Sequence, residues 1–399
     1  MTDDEHPNKS EDELHRRAKK LLNTGVEAFR RGDYSEALSS FESALALCRE
    51  LPGTEHDQAN YLYNSGVALG ESGDWRGALE RFDQALALCR ELPGTERDHI
   101  GCLNGSGVAL GESGDWRGAL ERFDRALALC RELPGTERDQ ADFLFNSGNA
   151  LKRLGDLRGA LERYDRALAL YRGVPGTERN QANCLYNSGN ALEESGDLRG
   201  ALERYDRALV LYRGVPGTER NQADCLFNSG FALEESGDLR GALERFDRAL
   251  VLCRGVPGTE RDQADFLFNS GNALSELGDL RGALGRYERA SALFQGIPGG
   301  ECDHARCLLN SGVALGKLGD WRGAMRIFER ALKPLNQHIL EVDWIEVERI
   351  GACCVQGIGA CLFNLNEAVF PDHFARALEV FQRPEHVDHT KADQASCLR

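Results

Sequence analysis

The chain has 399 residues, 41% of them apolar and 28% charged, and 48 basic against 64 acidic side chains give it a net charge of −16. This acidic balance disfavours nucleic-acid backbones and anionic membrane surfaces, which need a basic face, and leaves cationic partners open. No apolar run approaches the ~18 residues of a membrane span, and MTDDEHPNKSEDELHRR has no apolar signal core, so a cytoplasmic location is expected.

Residues 1–13 read as a disordered acidic tail. From residue 14 to about 338 one unit recurs. Its marker glycine falls at Gly25, Gly66, Gly107, Gly148, Gly189, Gly230, Gly271 and Gly312, always 41 residues apart. A Pro-Gly break keeps the same phase from Pro52 to Pro298. In the unit from Thr218 to Pro257, TERNQADCLFNSGFALEES carries apolar residues three and four apart, with Thr218 as the expected N-cap. Gly237 ends that helix and Asp238 caps the next, LRGALERFDRALVLCR, in which Glu244 and Arg248 form an i,i+4 pair. Pro257-Gly258 then breaks the chain. Each unit is thus predicted to be a helical hairpin that cannot bury its stripes alone, so neighbouring hairpins must stack.

Leu226, Gly230, Leu233, Gly237, Ala242, Phe246 and Ala249 follow the spacing large, Gly, large, Gly, Ala, aromatic, Ala, and by these residues the chain resembles the tetratricopeptide repeat family. The resemblance covers about residues 14–338 and implies an all-α, right-handed solenoid of eight hairpins with C-terminal capping helices. Leu stands at the usual Trp position, Ser229 at a usual Leu, and the unit is 41 residues long against about 34 in the family. The extra length lies between repeats, in which respect the chain is similar to kinesin light chain and Pins-type adaptor arrays.

Beyond Leu332 the grid fails. Residues 339–382 read as divergent capping helices, one over 340–364 and one over 373–382, followed by a polar tail at 383–399. Thirteen Cys raise the question of disulfides or metal. Cys48, Cys89, Cys130 and Cys253, however, share a grid with Tyr171, Tyr212 and Phe294, and Cys102, Cys184, Cys225 and Cys307 share another with Tyr61, Phe143 and Phe266. A site that exchanges Cys with aromatics is a packing site. No Cys-x2-Cys pair exists, so neither a metal nor a cofactor is expected. Gly357-x-Gly359 lacks the third glycine and the preceding strand of a dinucleotide loop, and His386 and His389 stand in the polar tail. With no hydrolase, P-loop or zincin motif present, an enzyme is not expected.

The expected site is the concave face, which the resemblance assigns to the first helix of each hairpin. Two residues before the marker glycine stand Asn23, Asn64, Asn146, Asn187, Asn228, Asn269 and Asn310, with Gly105 in the third repeat. Each Asn costs about 0.6 kcal/mol relative to Ala inside a helix. Two readings fit this row. An amide ladder can bind the N–H and C=O of an extended peptide, a use the resemblance implies. Alternatively, each Asn bonds only to its own helix, four residues back, and its recurrence records duplication. Three residues before the glycine stand Tyr63, Phe145, Tyr186, Phe227 and Phe268, as pocket walls or as core.

The positions six before and one after the glycine vary most, from Asn60 to Arg306 and from Val67 to Val313, which fits either a heterogeneous ligand or drift. Glu194, Asp224, Glu235, Asp265 and Glu276 place acid on the later repeats, whereas Lys152, Arg153, Arg306 and Lys317 supply local base. The expected function is therefore an interaction scaffold or adaptor that binds an extended, Lys- or Arg-containing segment of another protein. A self-associating spacer, or a peptide-sensing module acting on a separate enzyme, are the alternatives.

Overall fold

The computed structural model describes residues 9–335 and 344–365. Among these every regular element is an α-helix, and sixteen helices follow the repeat grid two by two. In order they are α1 (Lys9–Arg30), α2 (Tyr34–Arg49), α3 (Glu55–Glu71), α4 (Trp75–Glu91), α5 (Glu96–Glu112), α6 (Trp116–Cys130), α7 (Glu137–Arg153), α8 (Leu157–Arg172) and α9 (Glu178–Glu194). Then come α10 (Leu198–Arg213), α11 (Glu219–Glu235), α12 (Leu239–Cys253), α13 (Glu260–Glu276), α14 (Leu280–Gln295), α15 (Glu301–Lys317) and α16 (Trp321–Leu335), with α17 (Trp344–Leu365) last. Two compact units divide at Gly196, the first holding α1 to α9 and the second α10 to α17.

The hairpin of α11 and α12 shows why these residues fold this way. Gly237 takes φ +88°, a conformation that costs a residue with a β-carbon, and so turns the chain out of α11. The Asp238 carboxylate then accepts from the Gly241 N–H at 3.0 Å and caps α12. Gly230 permits the close approach of the two helices, since a β-carbon there would lie 2.5 Å from the Phe246 ring. Phe246 is fully buried, as are Ala242, Ala249 and Leu226 around it, and burying a Phe of this kind contributes about 1.5–3 kcal/mol.

Thr218 stands at the N-cap position but does not cap with its side chain. Its buried hydroxyl donates instead to the Tyr212 and Val215 carbonyls, at 2.7 and 2.8 Å. The Tyr212 carbonyl also accepts from the Val215 N–H at 2.9 Å, so the hydroxyl adds a second bond at the end of the preceding helix, where carbonyls lack their intrahelical donors. Thr54, Thr95, Thr136, Thr177 and Thr259 make the same bonds.

Between repeats the second helices are tied by ion pairs spaced 39 residues apart. Arg81 meets Glu42, Arg122 meets Asp83 at 2.9 Å and Arg163 meets Asp124 at 2.7 Å in the first unit. Arg245 meets Asp206, and Arg286 meets Asp247 at 2.6 Å, in the second. The eight grid cysteines are buried and free, and burial pushes the Cys184 thiol up to about 12, which suits packing rather than chemistry.

At the N-terminus α1 reaches back to Lys9, into the segment expected to be disordered, with Glu11 and Asp12 in the first turn where the helix dipole favours acid. At the other end α17 begins at Trp344 and packs on α15 and α16. Its Ile350, Cys354, Ile358 and Cys361 close over Phe328. Gly357 lies against that ring, where a β-carbon would come within 2.6 Å, so it serves packing rather than a phosphate loop. The expected helix over 373–382, the tail 383–399 with His386 and His389, and residues 1–8 lie outside the described residues. Among the described residues, no helix is long and apolar enough to cross a membrane and no group of acidic, His or Cys side chains is arranged to hold a metal.

Candidate functional site

Within the first unit the first helices α3 and α5 approach one another, as do α7 and α9. The marker glycines fix their register. A β-carbon on Gly66 or Gly148 would lie 2.8 or 2.6 Å from the ring of Phe82 or Tyr164, so each first helix is pinned on that side. The positions two and three residues earlier then fall at the edge of the packed interface. Asn64, Asn146 and Asn187 in the first unit, and Asn228, Asn269 and Asn310 in the second, are half-buried, whereas Asn23 is exposed.

Three of these side chains bond back to their own helix. Asn64, Asn187 and Asn269 each donate Nδ2 to the carbonyl four residues back, at 2.9, 3.0 and 2.8 Å. That bond uses one of two amide hydrogens and leaves the amide oxygen as an acceptor, although Asn64 also donates to Asn60 Oδ1 at 3.0 Å. Asn310 donates to Asn272 Oδ1 at 3.0 Å, and Asn228 also has a partner. In the third repeat Gly105 stands in place of Asn, and a β-carbon there would lie 2.6 Å from the Phe82 ring. The adjacent aromatic row is half core and half open. Tyr63, Phe145, Phe227 and Phe268 each lean on the ring of their own second helix, with centroids 5.6, 5.7, 5.6 and 5.9 Å apart. Tyr186 occupies the same half-buried position on α9.

In the variable row one residue after the glycine, Asn149, Phe231 and Asn272 have partners within their own hairpins, whereas Val108 and Val313 are exposed. Asn149 accepts from the Tyr164 hydroxyl at 2.8 Å, and Asn272 from that of Tyr287 at 3.0 Å. Phe231 packs on Phe227 and Phe246. The signal was present in the sequence: Asn149, Asn190 and Asn272 fall in the three repeats whose second helix carries Tyr164, Tyr205 and Tyr287. Val or Phe fills the position wherever that ring is Phe.

The acids differ in their environments. Glu194 is held by Lys152 at 2.9 Å, which cancels its charge within the first unit. In the second unit burial lifts Asp224 and Asp265 to a pKa of about 6, helped by Asp262 and Asp303 respectively. Glu234 is raised by burial and then by Glu276 and Glu235, so these three carboxylates form one acidic patch at the C-terminal ends of α11 and α13. A helix C-terminus itself repels acid, so the patch is a cost that a bound cation would offset. In the first unit a cavity of about 260 Å³ opens on the same face between α5, α7 and α9. It is lined by Asn104, Asp139, Asp142, Phe145, Asn180 and Asn183 among others. The fully buried Tyr171 donates its hydroxyl to Asp142 there.

Comparison with known proteins agrees with this architecture. The tetratricopeptide repeat model matches residues 17–91, 99–173, 139–214, 180–255, 219–295 and 262–333. The chain belongs to the tetratricopeptide repeat family. Among solved structures it is similar to the apo form of the quorum sensor NprR from B. thuringiensis, with 14% identity and a TM-score of 0.57 over 93% of this chain and 98% of that one. It is also similar to the apo form of RapI, with 15% identity and a TM-score of 0.51 over 69% and 97%. A Podosopora anserina chain described as "kinesin light chain nearly identical TPR-like repeats" matches at 15% identity, with a TM-score of 0.45 over 51% and 98%. None of the curated proteins matches the sequence.

Proposed function

We propose that this tetratricopeptide repeat chain is a protein-interaction scaffold that takes an extended, basic peptide segment along the face of its first helices. The observation that carries this reading is the half-buried Asn row. Asn187 and Asn269 each make one internal amide bond, to the carbonyl four residues back, beside an aromatic row that is partly open. Amide oxygens and spare N–H groups at repeat spacing can bond a peptide backbone whatever its side chains, while the rings cover its apolar groups. The acidic patch of Glu234, Glu235 and Glu276, with Asp224 and Asp265, supports a segment that carries Lys or Arg.

The test is affinity purification with mass spectrometry, comparing the intact chain with the combined variant Asn187→Ala, Asn228→Ala and Asn269→Ala. A partner recovered by the first should be lost by the second, with helicity and melting unchanged. Equal capture by both forms would falsify the amide-row mechanism.

A further inference from the structure

The second unit contains its own template for ligand recognition. Arg306 on α15 lies over the Phe268 ring, 5.3 Å from its centroid, and pairs with Asp303 at 2.5 Å. It is also close enough to Asp265 to lower that carboxyl's pKa against the larger effect of burial. A guanidinium is thus seated between the aromatic of one repeat and the first turn of the next.

Three repeats earlier, in the first unit, the corresponding residues are Phe145 for Phe268, Asn180 for Asp303 and Asp142 for Asp265. Arg306 itself corresponds to Asn183. The shorter amide cannot fill the place of an arginine, and here the face opens into the 260 Å³ cavity lined by these residues. At about 30 Å³ per water that space holds roughly eight waters, ample for one long side chain.

The chemistry of the lining is that of an acceptor site. Asp139 and Asp142 supply carboxylates, and no cationic side chain lines the cavity. Arg138, exposed beside Asp139, is the nearby cation whose charge reaches Asp142. Asn104 Oδ1 is buried without a hydrogen-bond partner, although an orphaned buried acceptor is costly. Three equivalents of Asp139 are paired, Asp98 with His56, Asp262 with Arg220 and Asp303 with Arg261. Asp139 has none among the described residues.

We propose that this cavity receives an arginine side chain of the bound peptide, its guanidinium stacked on Phe145 and donating to Asp142, Asp139 and Asn104. A planar fork with five donors fits several convergent acceptors beside an aromatic face better than a lysine ammonium does. This inference rests on the peptide-binding reading above and adds a side-chain site in the first unit that is separate from the acidic patch of the second.

The experiment selects from a displayed library of random nonamer peptides on the full chain, then measures a labelled selected peptide and its Arg→Lys and Arg→citrulline versions by fluorescence anisotropy. Selected peptides should be enriched in one arginine. Citrulline, neutral but of the same shape, should weaken binding at least tenfold, and lysine severalfold. Asn183→Arg, which supplies the arginine from within, and Asp142→Asn should each weaken the arginine peptide at least fivefold. Peptides selected without arginine would overturn the inference and leave the scaffold reading standing. Equal binding of the citrulline version, or of the wild-type chain and Asn183→Arg, would overturn it in the same way. Selection of no peptide at all would remove the groove reading and this inference with it. Circular dichroism checks that both variants fold, and the peptide-side comparisons need no variant.

Discussion

Tyr164 is fully buried, and its hydroxyl has one partner that decides what its neighbour must be, the Asn149 amide oxygen at 2.8 Å. Where Phe82 or Phe123 takes the place of Tyr164, Val67 or Val108 takes the place of Asn149. Tyr164→Phe should therefore cost about 1 kcal/mol, and Asn149→Val about 1–3 kcal/mol by leaving the hydroxyl unpaired. The double variant recreates a natural pair and should lie within about 0.5 kcal/mol of the parent. A double-mutant cycle from urea denaturation, fitted with nearest-neighbour coupling between repeats, measures the term. This pairing was legible in the chain as a correlation between two rows, but reading each row by itself hid it and made Asn149 look like a ligand-facing residue. The Asn row was legible directly, because an Asn placed mid-helix at a fixed period is a propensity cost that asks for a reason. Which of its hydrogens is already used, as in Asn269 to the Asp265 carbonyl, depends on rotamers that no periodicity encodes.

The helices owe their boundaries to short signals, and these were the most readable part of the chain. Asp156 Oδ1 accepts from the Gly159 N–H at 2.9 Å, the bond that Asp74, Asp115 and Asp238 also make in their own repeats. Asp156→Ala should cost about 1 kcal/mol and Asp156→Asn much less, with hydrogen exchange accelerated in the first turn of α8. Thr218 was harder, since a Thr before a helix reads as a cap whether its hydroxyl faces forward or back. Only the Pro-Gly turn, folded beneath it, shows that the hydroxyl serves the helix before. The final helix α17 departs from the 41-residue grid, so repeat arithmetic could not predict how Gly357 would meet Phe328. Phe328→Ala should cost about 3–5 kcal/mol and act locally. Exchange and proteolysis should rise in α15 to α17, while α1 to α6 keep their protection.

Across the whole chain, stability is a sum of repeats and of the joints between them, and the acids of the second unit make that sum depend on pH. Asp224 and Asp265 have folded pKa values of about 6 against an ordinary 3.8. Between about pH 4 and 6 the folded chain therefore binds more protons than the unfolded one. The contribution of these two groups is fully present below about pH 4 and is lost as the pH rises through 6. Melting of the second unit should accordingly move up when the pH is lowered from 7 to 5, and Asp224→Asn with Asp265→Asn should flatten that dependence, as read by calorimetry. An upward shift of equal size in the double variant would show that other groups carry the effect. The ion-pair column has a different consequence. Because Arg122 to Asp83, Arg163 to Asp124 and Arg286 to Asp247 are the same joint, excising or inserting one whole repeat reforms an identical seam. The array can thus be lengthened or shortened in whole steps of one repeat, with no new interface to invent.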